Sequence, residues 1–369
     1  MSVTDELTPR ERFNRTLSFQ CPGKTLATLG GIWPSALRRW TSEGMPPEID
    51  SVPKLIDHLG LQRHTWCSPA AKGFTYPPFQ RRIVHEDDTK VTYINPPGVT
   101  TTDFKEDAYQ SMPHFEDYPV KDRADWDAYK PRLQWTPERL GPRWENQKAQ
   151  WAERTDPLIL AFNCGSSLYG SLRELMGVTG ASMAFYDEPA MVAEIMDTVT
   201  ELFCRCVDAM FTDFCPDAFC LWEDMAYKNA SLLSPATVRE LMLPRYKVMV
   251  AKLREKGVPF ILLDSDGYIE ELIPIWLEAG IDGFVPFEVQ AGMDVADCRR
   301  RYPRMRMLGG VDKRALAGGK DAIDREIDRI APAVEAGGFV PWFDHGLPHD
   351  VAWGDFLHYT DRLKQLAWG

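Results

Sequence analysis

From Pro157 onward the chain alternates short, continuous apolar runs with longer amphipathic stretches. The runs are Pro157–Asn163, Ala218–Asp224, Pro259–Asp266, Gly283–Glu288, Arg306–Asp312 and Phe339–His345. Apolar runs of this length, without alternation, are the pattern of strands buried on both faces. Each is followed by a helix-like segment. One begins near Ser167, one is capped by Ser234 with Pro235 at its first position, and one runs from Glu270 to Ala279. Repeated strand-then-helix units predict a parallel sheet with helices packed over it. Six units lie after residue 156, with room for two more before it, and this predicts a TIM (β/α)8 barrel of the α/β class. No GxGxxG turn supports a dinucleotide-binding sheet.

Residues 1–156 are less regular and rich in proline and tryptophan. Thr8 followed by Pro9 predicts a helix start, and Pro34 to Glu43 predicts a second helix stopped by Gly44. Arg82–Glu86 and Lys90–Ile94, separated by Asp87-Asp88-Thr89, read as a β-hairpin. Residues 1–156 are therefore expected to form a helical and hairpin extension plus the first barrel elements. Residues 157–369 form the main body of the same single-domain barrel.

Composition narrows the functional classes. The net charge of −12 comes with acids and bases interspersed, which argues against a nucleic-acid footprint, because phosphate binding needs a basic face. Eight cysteines occur with no CxxC pair, so reduced, mostly buried thiols are expected. No apolar stretch approaches the length of a membrane span, and the acidic start of the chain lacks an apolar signal region. A cytoplasmic protein is the expectation.

In such barrels the chemistry sits at the carboxyl ends of the strands. Read in order, those ends carry Asn163, Glu223 with Asp224, Asp264 with Asp266, Glu288, Asp312, and Asp344 with His345. Alternation along a strand puts Asp264 and Asp266 on one side if the extended conformation persists that far. So many acids around one mouth repel each other. Either a cation neutralises some of them or several hold protons. Asp312, after Gly309-Gly310, reads as a loop-fixing acid.

The order of motifs resembles the uroporphyrinogen decarboxylase superfamily, including its cobalamin-dependent methyltransferase branch. The matching stretches are Trp222-Glu223-Asp224 leading to Leu233-Ser234-Pro235, Asp266-Gly267 leading to Glu278-Ala279-Gly280, Leu308-Gly309-Gly310-Val311-Asp312, and Gly337-Gly338-Phe339 leading to Asp344-His345-Gly346-Leu347-Pro348. Asn163-Cys164-Gly165-Ser166 followed by Glu174-Leu175-Met176-Gly177 looks like the family's strand-to-helix passage there. True decarboxylases of the family hold a propionate-rich tetrapyrrole with an arginine segment, which here reads Arg38-Arg39-Trp40 within a helical pattern.

The resemblance implies a set of roles. Thiol methyltransferases of this superfamily carry His-x-Cys where this chain has Asp264-Ser265-Asp266, and a third cysteine ligand at about the place of His345. Asp264, Asp266 and His345 are thus the implied zinc ligands, with Glu223 as a possible fourth. Oxygen and nitrogen donors suit a harder Lewis acid and an oxygen-containing substrate. The implied activity is demethylation of a methyl ether, plausibly an aryl one, with the methyl group passing to a corrinoid (cobalamin) carried by a partner protein. Glu223 or Asp224 would act on the leaving oxygen. Asn163, Trp222, Tyr227 and Glu288 would contact the substrate, and Trp33, Trp40 and Phe287 would add aromatic surface. A homodimer is implied by the family alone. Metal-free decarboxylation and a non-catalytic barrel binding a corrinoid or a small acid are the alternatives.

Overall fold

A computed structural model describes residues 7–69, 74–105, 113–162, 165 and 167–368. Its strands are β1 (Thr65–Cys67), β2 (Arg82–Glu86), β3 (Lys90–Ile94), β4 (Thr100–Phe104), β5 (His114–Asp117), β6 (Leu158–Ala161), β7 (Ala218–Trp222), β8 (Phe260–Asp264), β9 (Gly283–Val285), β10 (Arg306–Val311) and β11 (Phe339–Phe343). Seven of them form one parallel sheet in the order β1-β6-β7-β8-β9-β10-β11. The sheet curls into the TIM-like barrel that the run pattern predicts. The gap between β11 and β1 is filled by residues 25–31. Thr25 Oγ1 donates to the Phe339 carbonyl at 2.7 Å, Gln62 N donates to the Ala27 carbonyl at 2.7 Å, and Leu347 N donates to the Gly31 carbonyl at 2.9 Å. This segment takes the place of the eighth strand with only a sparse ladder.

Alternation along the strands divides the apolar residues into two sets. Ile159, Ala161, Ala218, Cys220, Phe260, Leu262, Leu308, Val340 and Trp342 pack together inside the barrel, and their neighbours pack outward under the helices. The helix Pro9–Leu17 closes the amino-terminal end. Its Thr8 and Glu11 form a reciprocal capping box, and Phe13 and Leu17 join the inner cluster. Asp217 locks that plug. Its carboxylate, nearly inaccessible, accepts from Arg10 Nε at 2.6 Å, Arg154 Nε at 2.8 Å and Leu158 N at 2.9 Å.

The predicted hairpin has the expected limits, but it is half of a four-stranded antiparallel sheet, β2-β3-β4-β5. Thr100–Phe104 and His114–Asp117 carry no continuous apolar run, so only pairing with β3 makes them strands. Helix ends also differ from expectation. Glu270–Ala279 shortens to Ile273–Glu278. The segment after β6 is a helix Tyr169–Asp187 kinked at Gly177 (φ 72°). The Tyr118 ring lies 2.5 Å from where a Cβ at Gly177 would stand, so no side chain fits there.

Removing the carboxylate of Asp217 leaves the largely buried Arg154 without its partner, a loss that typically costs about 3–5 kcal/mol. Asp217→Ala is therefore expected to shift the urea midpoint down sharply, whereas Arg10→Ala, which removes a more exposed partner, has the smaller effect. Equal midpoints for Asp217→Ala and wild type would contradict this.

Candidate active site at the carboxyl ends of the strands

Phe260 and Leu262 face the barrel interior, and the next residue in phase is Asp264. It stands beside Trp222 of β7 and Val285 of β9 in the register of the sheet. The strand ends at Asp264, so the alternation expected to carry on to Asp266 stops there. Asp266 lies in the following loop. Gly267 (φ 84°) turns that loop so closely past Ala226 that an added Cβ would stand 2.5 Å from the Ala226 carbonyl oxygen. Gly267 N donates to Glu288 Oε2 at 2.9 Å. The result is a cleft of about 210 Å3 lined by Tyr227, Lys228, Asp266, Gly267, Glu288 and Gln290.

Charges around Asp264 are arranged in pairs. Asp266 meets His345 Nε2 at 3.3 Å. Asp224 meets Arg173 Nη1 at 3.0 Å and accepts from Asp266 N at 3.2 Å. Among the described residues Asp264 has no such cation of its own. Burial, then the neighbouring carboxylates of Asp266 and Asp224, push its acidity well above the ordinary range, against the pull of His345. Burial and Asp266 raise Asp224 as well, opposed by Arg173. Its bond to Asp266 raises His345, opposed by burial. Burial and the two neighbouring carboxylates thus favour the protonated form of Asp264 over its anion.

Glu223 has a different role from the one expected. It is fully buried and faces away from the cleft, into the start of the helix Tyr169–Asp187. It accepts from Leu168 N at 2.8 Å, Tyr169 N at 2.7 Å, Gly170 N at 3.2 Å, Ser167 Oγ at 3.0 Å and the Tyr246 hydroxyl at 2.8 Å. A carboxylate at a helix amino terminus satisfies its free amides and complements its dipole. Burial pushes Glu223 up to about 6 despite these donors. With both oxygens engaged it offers no ligand to a metal and no proton to a substrate. It is a positioning residue.

Other expectations divide similarly. Asp266, Glu288 and Tyr227 come together at the cleft, with Tyr227 at its exposed rim. Trp222 is half-buried at the end of β7, with the Arg173 guanidinium 5.2 Å from its ring centroid. Trp40 is a core residue stacked on Phe356 and Phe287 is buried, so neither adds pocket surface. Trp33 is partly exposed and packs its indole over Gly346. Asp312 fixes its loop, capping the following helix and holding Arg314. Asp344 pins two loops by accepting from Val289 N and Lys313 N. Asn163 lies outside the described residues. Arg173 and Tyr246 were not expected from the sequence. Arg173 was the more findable, being a cation one turn into the helix that follows a barrel strand.

The zinc expectation meets a geometric obstacle. Among the described residues no group of three or more His, Cys, Asp or Glu side chains is placed to share a metal ion. Asp266 and His345 touch each other, and Glu223 points elsewhere. The donor set as it stands does not fit zinc. The described cysteines are all free thiols, and no helix among the described residues is long and apolar enough to cross a membrane.

A parallel α/β barrel with an acid-rich mouth at its strand ends is the class that fold and site define together. Residues 101–365 match the family described as Uroporphyrinogen decarboxylase (URO-D), and the chain belongs to that family. A 143-residue stretch is 29% identical to the chloroplastic uroporphyrinogen decarboxylase of Nicotiana tabacum, covering 38% of this chain and 35% of that protein. The chain thus spans about a third of that relative's length. The structure is similar to a methyltransferase from Methanosarcina mazei with a TM-score of 0.59 and 14% identity, over 98% of this chain and 99% of that one. At that identity the likeness establishes the shared fold.

Two outcomes test the assignment of the acids. Glu223→Ala is expected to destabilise the protein by roughly 3 kcal/mol or more, because it strands several buried donors, whereas Tyr246→Phe should cost about 1 kcal/mol. Chemical denaturation of both variants reads this directly. For Asp264, a raised folded value means that its contribution to stability is full below about pH 4, where the unfolded chain is also protonated, and is lost as pH rises towards the folded value. Asp264→Asn stays neutral throughout. Its melting temperature should match wild type near pH 4 and exceed it increasingly towards pH 8, and a constant difference would show that Asp264 ionises normally.

Proposed function

We propose that this protein is a methyltransferase that removes the methyl group of a small methoxylated substrate and delivers it to a corrinoid carried by a partner protein. The observation that carries the reading is the in-facing Asp264 at the barrel mouth, beside two carboxylates that already have cations, where burial and those neighbours favour its protonated form. A group of this kind donates a proton to an oxygen that gains charge as its bond to carbon breaks. The full-length structural likeness to a methyltransferase supports the same reading.

The chemistry balances with the chain's own residues. The methyl carbon–oxygen bond breaks, the bond pair stays on oxygen, and the Asp264 proton moves to that oxygen, so the product leaves as a hydroxyl compound. Asp264 recovers its proton through the cleft, where Asp266 and His345 are in contact and reach solvent. Trp342 on β11, stacked on His64 at 5.0 Å and 6.2 Å from Trp66, gives the interior aromatic surface. The reduced corrinoid supplies the two-electron nucleophile that accepts the methyl group. A cleft of about 210 Å3 is smaller than the pockets that enclose drug-sized ligands, roughly 300–1,000 Å3. The acceptor is therefore presented from outside, on the partner. No step here runs through a metal.

Decarboxylation of a multiply carboxylated tetrapyrrole is less well supported by the site. Arg38 is exposed, Arg39 is held by Glu43 and the His349 carbonyl, and the mouth itself is acidic. The deciding experiment supplies methoxylated aromatics and cob(I)alamin on candidate partner proteins, and reads loss of the cob(I)alamin absorbance. Turnover is expected with wild type, and a fall of roughly 100-fold or more with Asp264→Asn, the usual size of a general-acid contribution. Turnover of a carboxylated tetrapyrrole without corrinoid would overturn the assignment.

A further inference from the structure

The amino-terminal end of the barrel, opposite the acidic mouth, carries a surplus of positive charge. Arg306 opens β10, Arg304 lies just before it, and Arg299 is in the last turn of the helix Val295–Arg301. Their guanidiniums gather on the ring of Phe19, at 5.1 Å for Arg299, 4.2 Å for Arg304 and 5.8 Å for Arg306. Asp282 meets Arg306 Nη1 at 3.4 Å but is shared with Arg254, and Arg304 makes no ion pair among the described residues. Four guanidiniums thus stand against one carboxylate. Basic residues in a last helical turn complement the helix dipole, and Arg300 and Arg301 are also paired with Asp297. Arg299 differs from them. It is 6% exposed, and its Nη1 donates to the carbonyls of Pro303 at 3.0 Å and Met305 at 2.7 Å, which fixes the plane of the group. Its Nε and Nη2 are buried without a hydrogen-bond partner. These two N–H groups form the parallel fork with which arginine holds two oxygens at once. Elsewhere in this protein the same fork is met by a carboxylate, that of Asp312 on Arg314 and that of Glu326 on Arg329.

We propose that Arg299, Arg304 and Arg306 form a binding site for a phosphate group at the amino-terminal end of the barrel. The fork of Arg299 takes two of its oxygens, and Arg304 adds a second charge from the solvent side. A phosphate, with a charge of about −1.5 to −2 near neutral pH, offsets the surplus of cations better than a single carboxylate does, and it meets two buried donors that are otherwise costly to leave unpaired. The cover over the fork is thin. Phe19 is half-buried and Arg304 is exposed, so a shift of these two side chains admits the ligand. The site lies at the opposite end of the strands from Asp264, so its occupant is not the methyl donor. Arg306 Nε donates to the Leu17 carbonyl at 3.1 Å and Gly338 N to the Thr16 carbonyl at 3.0 Å. A phosphate held here therefore braces the helix that closes the barrel.

Isothermal titration of the full chain with inorganic phosphate tests this without corrinoid or methyl donor, at constant ionic strength because salt screens exposed charges. Stoichiometric binding is expected, with acetate bound roughly ten-fold or more weakly, and the melting temperature should rise with phosphate concentration. Arg304→Gln, which alters an exposed side chain, should weaken phosphate binding roughly ten-fold, the size of a hydrogen bond to a charged group. Arg299→Lys keeps the charge but removes the fork, and should weaken it at least as much. Unfolding curves on Arg299→Lys without phosphate separate a lost fork from a lost fold. Glycerol 1-phosphate distinguishes the sources of the group: tighter binding than inorganic phosphate marks a phosphorylated small molecule, and equal binding marks the free ion. Absence of stoichiometric binding, or affinity unchanged in Arg304→Gln and Arg299→Lys, would overturn the proposal.

Discussion

The buried carboxylate of Glu223 is the interaction on which the site is built. It joins the end of β7 to the first amides of the helix Tyr169–Asp187 and to the hydroxyl of Tyr246 on the helix Leu243–Glu255. Once that helix start is fixed, Arg173, one turn further on, is delivered to Asp224. Asp224 in turn receives the backbone N–H of Asp266, and Asp266 faces His345 on the loop after β11. A single buried anion therefore sets the relative positions of four strand ends. Its burial is tolerable because every oxygen lone pair that matters is met by a donor.

What the mouth must then manage is its surplus of negative charge. Two of the three central carboxylates are given cations, and the third is left on the dry side of the group, where a neutral acid is the stable form. The same division appears beyond the centre. Asp312 and Asp344 are spent on fixing loops, while Glu288 holds Gly267 in the turn that opens the cleft. The barrel mouth thus separates acids that hold architecture from the acid that holds a proton, and burial decides which is which.

Much of this was legible in the chain. The six late apolar runs mark their strands closely, because a strand buried on both faces cannot hide its composition. Asp266 and Glu288 do reach one cleft, and His345 meets Asp266, because they follow strands whose ends converge. The antiparallel strands Thr100–Phe104 and His114–Asp117 were not legible, since partly exposed threonines and charged residues become strands only through their partners. The direction of Glu223 was hidden for another reason. Adjacent acids at a strand end look alike in sequence, and which one turns under the next helix depends on donors brought from residues more than fifty positions away. The implied zinc ligands are likewise not gathered into one group among the described residues, because β8 stops at Asp264 and leaves Asp266 to a loop.

Asp224 carries one more implication. Its backbone is left-handed, with φ at 53°, a conformation that glycine adopts freely and that an L-residue occupies at a cost of roughly 1 kcal/mol. Glycine at this position would relax the chain but would erase the counter-charge of Arg173, release the loop of Asp266 and leave a half-buried guanidinium with only the residue-224 carbonyl and the Trp222 ring. The backbone and the electrostatics thus pull the choice of residue in opposite directions, and the side chain prevails. Such a position is closed to the substitution that improves stability most easily, so the robustness of this mouth to sequence drift is limited by its charge pairing rather than by its packing.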